Sequence, residues 1–128
     1  MTWTRIRIEV ARSHDFPEGS TRHGYEMVLP LLPDGRIDEK TLKPAPELAT
    51  VHRFWEGEGD AVGQIRHQRG GWLITYEPGG PEDEPLHRFP EHKFRLGEYV
   101  SVREGAHAEH AFKVVSVRPA PGLAAQKG

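Results

Sequence analysis

A chain of 128 residues, 36% hydrophobic and 28% charged, has room for one core but not for two, and its polarity is that of a soluble globular domain. It contains no cysteine, which excludes a disulfide framework, thiolate zinc, an iron-sulfur cluster and a thiol nucleophile. A net charge of -2 with eight neutral histidines gives no global attraction to nucleic acid or anionic membrane, so nucleic-acid binding is disfavoured unless a local patch provides it.

The opening residues predict a strand. Thr4, Ile6, Ile8 and Val10 alternate with Trp3, Arg5, Arg7 and Glu9, the period of a strand with one face buried. That alternation is unlike a secretory leader, and no apolar run approaches the ~18 residues of a membrane span, so the expected setting is cytoplasmic, without membrane contact. Residues 13–24, SHDFPEGSTRHG, carry no periodicity and predict a long loop. YEMVLPLL follows as a second strand, and Pro30, which lacks a ladder donor, predicts an edge or a break there.

Pro33-Asp34-Gly35 reads as a turn, and the only room for a helix is one short element near residues 37–43, capped by Asp38 and stopped by Pro44 and Pro46. TVHRFWEG, AVGQIRHQ and GWLITYE, separated by Gly-bearing turns, predict a three-stranded meander. The proline-rich and acidic segment EPGGPEDEPLHRFPEH reads as irregular. FRLGEYVSVRE and HAFKVVSVRP then form a closing hairpin, with Phe94, Leu96, Val100 and Val102 on one face and Gly97 at a bulge or close approach.

The expected fold is therefore mainly β, a small antiparallel β-barrel or sandwich of about seven short strands. With 14 Gly and 11 Pro, turns are frequent. Residues 1–118 form a single β domain and residues 119–128 a flexible C-terminal tail. Strands exposed at an edge, such as the one containing Pro30, would allow a homodimer as well as a monomer.

Three sets of residues carry candidate chemistry. His107, Glu109 and His110 lie at the tip of the last hairpin and, joined by His92, or by Glu91 and His87, offer imidazole and carboxylate ligands to a divalent metal such as zinc, nickel or copper. The spacing matches no metal-binding signature, and an ordinary polar turn explains it as well; no cofactor is otherwise expected. Glu82, Asp83 and Glu84 could hold calcium or magnesium through oxygen ligands but read better as a solvated acidic run. Trp3, Arg5, Arg7, Arg53, Trp55, Arg66 and Arg69 would form, if exposed together, a face on which single-stranded nucleic acid stacks or a protein partner docks.

FRLGEYVSV followed by HAFKVVSVRPA resembles the closing strands of the flavin-binding barrel in ferredoxin reductase-like proteins. Where that family places Arg-x-Tyr-Ser, this chain has His110-Ala111-Phe112-Lys113, and no nucleotide-binding βαβ unit follows. The resemblance implies a barrel hairpin and not a flavin site. The functional expectation is a non-catalytic binding module recognising a protein or other macromolecule through its Arg/Trp face and loops. The alternatives are a metal-binding protein or metal-dependent enzyme, a single-stranded nucleic-acid binder, and a barrel holding a small molecule.

Overall fold

Residues 2–68, 71–78, 83–86, 91–103 and 109–120 are described by a computed structural model. Within them the strands are β1 (Thr2–Val10), β2 (His23–Leu31), β3 (Thr50–Trp55), β4 (Ala61–Gln68), β5 (Gly71–Tyr76), β6 (Glu84–Leu86), β7 (Tyr99–Arg103) and β8 (Glu109–Pro119). One antiparallel sheet joins all eight in the order β6-β5-β4-β3-β2-β1-β8-β7. Its two edges, β6 and β7, come alongside each other, so the sheet curls into a partly open up-and-down barrel instead of splitting into a sandwich.

The alternation in the sequence positions the core. Thr4, Ile6, Ile8 and Val10 face inward from β1, and their β2 partners in register are Leu29, Met27 and Tyr25 for the first three. Val51 on β3, Ile65 on β4, Ile74 on β5 and Val114 on β8 complete the interior. Fully burying such a side chain contributes about 1.5–3 kcal/mol. α1 (Glu39–Leu42) is a single turn, with Asp38 accepting from Thr41 N, and Leu42 is completely buried.

Pro30 is not at a sheet edge. β2 lies between β1 and β3, but the β3 ladder ends at Met27. Beyond it Pro30 O accepts from Asp38 N at 2.9 Å, so the missing proline donor faces a stretch with no strand ladder to break. β2 is thus not the sheet edge that the expected pairing between chains would use.

Other local expectations also change. Glu84–Leu86 is a strand on β5, inside the segment read as irregular. Leu96 is 68% exposed and does not share the buried face of Phe94, because β7 starts only at Tyr99. Gly97, at φ +87, belongs to the turn that precedes β7, where Gly97 N donates to Val114 O. The β7/β8 hairpin itself is present. At the C-terminus β8 runs to Pro119, and Ala120 is buried and donates to Trp3 O; residues 121–128 lie outside the described part. No helix among the described residues is long and apolar enough to cross a membrane.

Candidate binding site

Three strands and one loop build one end of the barrel. The register pairs His23 with Trp55 and Tyr25 with Arg53, which sets all four side chains on the inner face of β2 and β3. On β8 the same parity brings His110 and Phe112 inward, paired with Val102 and Val100 of β7. Residues 11–22 then fold back over this end. Ser20 N donates to Val10 O at 3.0 Å, and Phe16 O accepts from both Ser13 N and Gly19 N at 2.9 Å. These bonds bring the Phe16 ring to the barrel end.

The result is a cluster of rings. His23 stands edge-on to Trp55, their centroids 4.5 Å apart, while Phe16 lies 4.8 Å from His23, 6.1 Å from Trp55 and 5.9 Å from His110. His110 is also 6.0 Å from Trp55 and 6.4 Å from Phe112. Edge-to-face and tilted contacts at these separations are favourable beyond the area they bury.

Beneath the rings is a buried polar network. The Arg53 guanidinium lies over Trp55 at 4.7 Å, a cation–π contact. Its Nη1 donates to Glu58 Oε1 at 3.0 Å, and its Nε lies 3.6 Å from Glu84 Oε2. Glu84 Oε1 accepts from the hydroxyl of Tyr25 at 3.0 Å and from that of Tyr76. Burial, followed by the neighbouring Tyr25 and the charge on Glu84, raises the Tyr76 hydroxyl far above the usual tyrosine range. Tyr76 therefore acts as a permanent donor and not as a base.

Such a network is unusual inside a small barrel. Taking two charges out of water costs more than their attraction returns unless further hydrogen bonds complete the shell. The two phenols and Glu58 supply those bonds. Features that break the rule of an apolar interior occur preferentially at functional positions.

Ser20 Oγ and His23 Nδ1 are 2.6 Å apart, the contact a hydroxyl nucleophile and its base would make. Here it closes a local turn, since Ser20 Oγ also accepts from Arg22 N at 3.1 Å. Among the described residues no carboxylate bonds the other ring nitrogen to orient it as in a triad.

The residues expected to form an Arg/Trp face divide between the two sides of the sheet. Trp3 is only 1% exposed: with Val28 and Pro30 it forms a buried layer on the outer side of β1 and β2, so its ring offers no stacking surface. Arg5 is exposed on that outer side. Arg7 is consumed within the chain, bonding Glu9 at 2.7 Å, Glu26 at 3.0 Å and Thr21 O at 3.1 Å while covering the Phe54 ring at 4.2 Å. Arg53 and Trp55 belong to the barrel end. Arg66 is exposed, bonds Gln64 at 2.8 Å and borders a shallow cleft of about 260 Å³ with Lys43, His67 and Trp72. Arg69 lies outside the described residues.

The expected metal ligands are not seen as one group. His107 and His87 lie outside the described residues, and only the backbone of Glu109 is described. His110 packs among the rings, and His92 is half-buried before β7. Among the described residues no three His, Asp or Glu side chains converge as a metal site would require. Of the acidic run, Glu82 is outside the described part, Asp83 is exposed, and Glu84 is buried as the partner of Arg53, a correction to its reading as a solvated acid.

Phe16, His23, Tyr25 and Tyr76 are the residues of this end that the sequence patterns do not single out, and Glu84 is singled out only as part of an acidic run. A signal existed for the arginine: Val51, Arg53 and Trp55 share one parity, so the arginine sits on the core-facing side of its strand. Nothing comparable marks Glu84, whose burial depends on pairing with β5. No family model, curated protein or solved structure matches this chain.

Proposed function

We propose that the protein is a non-catalytic binding module whose ligand site is the barrel end formed by Phe16, His23, Trp55 and His110, and not the outer arginine surface. One observation carries this reading: four rings from a loop and three strands gather directly over a buried Arg53–Glu84 pair that two tyrosines complete. Apolar and aromatic walls with a few fixed polar groups are the composition of small-molecule sites. An eight-stranded barrel is of the size that holds one small ligand. The outer surface supports a macromolecular partner less well, because Trp3 is enclosed and Arg7 is saturated by its own chain.

Ligand-observed NMR with a set of small planar aromatic compounds tests this reading, comparing the protein with a Trp55→Leu variant. Compounds that bind the first and lose binding to the second support the site. No binding, or binding indifferent to the substitution, contradicts it.

A further inference from the structure

Two side chains from different loops converge on Trp55: Phe16 packs against its ring, and Glu58 bonds Arg53, whose guanidinium lies over that same ring. Phe16, from the loop between β1 and β2, places a phenyl ring against Trp55 and His23. Glu58, from the turn between β3 and β4, places a carboxylate 3.0 Å from Arg53 Nη1. We propose that the barrel end binds an aromatic carboxylate whose ring displaces Phe16 and whose carboxylate displaces Glu58 from Arg53. This rests on the barrel end being the ligand site and adds the ligand's chemical class.

Glu84 and Glu58, both bound to Arg53, differ in how easily they can leave. Glu84 is 2% exposed and is held by both Tyr25 and Tyr76, so it stays with the guanidinium. The Glu58 side chain is 57% exposed. A Cβ added at Gly57 or Gly59, on either side of it, would meet nothing within 4 Å, so the Glu58 side chain can rotate off Arg53 into solvent while the turn keeps its Glu58 N to Trp55 O bond.

Charge also favours the exchange. Arg53 and Glu84 neutralise each other, and Glu58 sits at the exposed end of the guanidinium. A ligand carboxylate taking the position of Glu58 leaves the buried charge unchanged, so no new uncompensated ion is created. The planar fork of arginine matches a carboxylate in geometry as well as in sign. A neutral aromatic compound would fill the ring seat but could not replace the Glu58 interaction.

Phe16 is the corresponding movable part of the ring seat. It is half-buried, and its loop is attached near the barrel through Ser20 N to Val10 O, with Ser13 Oγ accepting from Phe16 N at 3.2 Å. His23, Trp55 and His110 belong to strands and remain in place to receive an incoming ring.

The test is a titration of benzoate and of benzyl alcohol, its neutral analogue, followed through the ring resonances of His23 and His110 in the unmodified protein and in Glu58→Gln. In Glu58→Gln, where no carboxylate has to leave Arg53, benzoate is expected to bind about tenfold more tightly than benzyl alcohol, the scale of one charge-assisted hydrogen bond. In the unmodified protein the difference is smaller, because benzoate exchanges with Glu58. Because Glu58 is exposed on a turn, the variant keeps the fold. Equal affinity for the two compounds in Glu58→Gln, or no gain for benzoate over the unmodified protein, overturns the carboxylate assignment while leaving the barrel end as a ligand site. Failure of both compounds to perturb either histidine in both proteins overturns the two together.

Discussion

Arg53 and Glu84 face each other across the barrel interior with Nε and Oε2 3.6 Å apart and side chains 4% and 3% exposed. Removing one charge would leave the other buried, which costs about 3–5 kcal/mol in comparable pairs, whereas replacing both by apolar groups can be neutral. Glu84→Gln is therefore expected to be strongly destabilising in urea unfolding, and Arg53→Met with Glu84→Leu much less so than the sum of the single changes. Strict additivity of the two would show that the pair is not coupled.

Tyr76 gives the network an alkaline signature. Its hydroxyl is raised by burial and by Tyr25 and Glu84, so the folded protein keeps the proton where the unfolded chain has lost it. Above the usual tyrosine value of about 10 the unfolded state binds fewer protons, and stability falls as pH rises; below that value the contribution is complete. Stability measured across the alkaline range should fall less steeply in Tyr76→Phe, by one proton's worth of slope. An identical slope in the variant would mean that Tyr76 ionises freely in the fold.

The parts of the fold legible in the sequence are those set by local pattern. The alternation of Thr4, Ile6, Ile8 and Val10 predicts β1 and its buried side, and Asp38 followed by Pro44 and Pro46 predicts one short helix. What escapes is set by distant pairing. Glu84 reads as one of three consecutive acids, and pairing with β5 together with its contacts to Arg53, Tyr76 and Tyr25, the last 59 positions away, makes it an interior residue. Trp3 alternates with the core and so reads as exposed, because a burial pattern along one strand cannot reveal that Val28 and Pro30 form a second buried layer beside it.

The helix cap is testable on its own. Asp38 accepts from Thr41 N at 3.3 Å and from Thr41 Oγ1 at 3.0 Å, satisfying donors at the start of α1. Asp38→Ala should lower unfolding stability by about 1 kcal/mol, and Asp38→Asn by less. Equal losses from both would point to charge and not to the cap hydrogen bond.

Gly24 lies where β1, β2 and β3 crowd together. A Cβ there would come within 2.1 Å of Ile8 O and 2.9 Å of the Phe54 ring, the same ring that Arg7 covers. The backbone oxygen cannot rotate away, so Gly24→Ala should destabilise by about 1–3 kcal/mol, the range of overpacked cores. Thermal unfolding of that variant alongside Gly59→Ala, whose Cβ would meet nothing within 4 Å, measures the contrast; equal midpoints would contradict the crowding.

The most direct measurement on the ligand site is a map of the histidine ring signals as benzoate is added. His23 and His110 belong to the ring cluster, whereas His52, bonded to Asp60 at 2.9 Å, and His67, beside Trp72, lie elsewhere. Binding at the barrel end predicts saturable shifts of His23 and His110 with His52 and His67 unmoved. Shifts confined to His52 or His67, or none at all, would contradict a ligand site there.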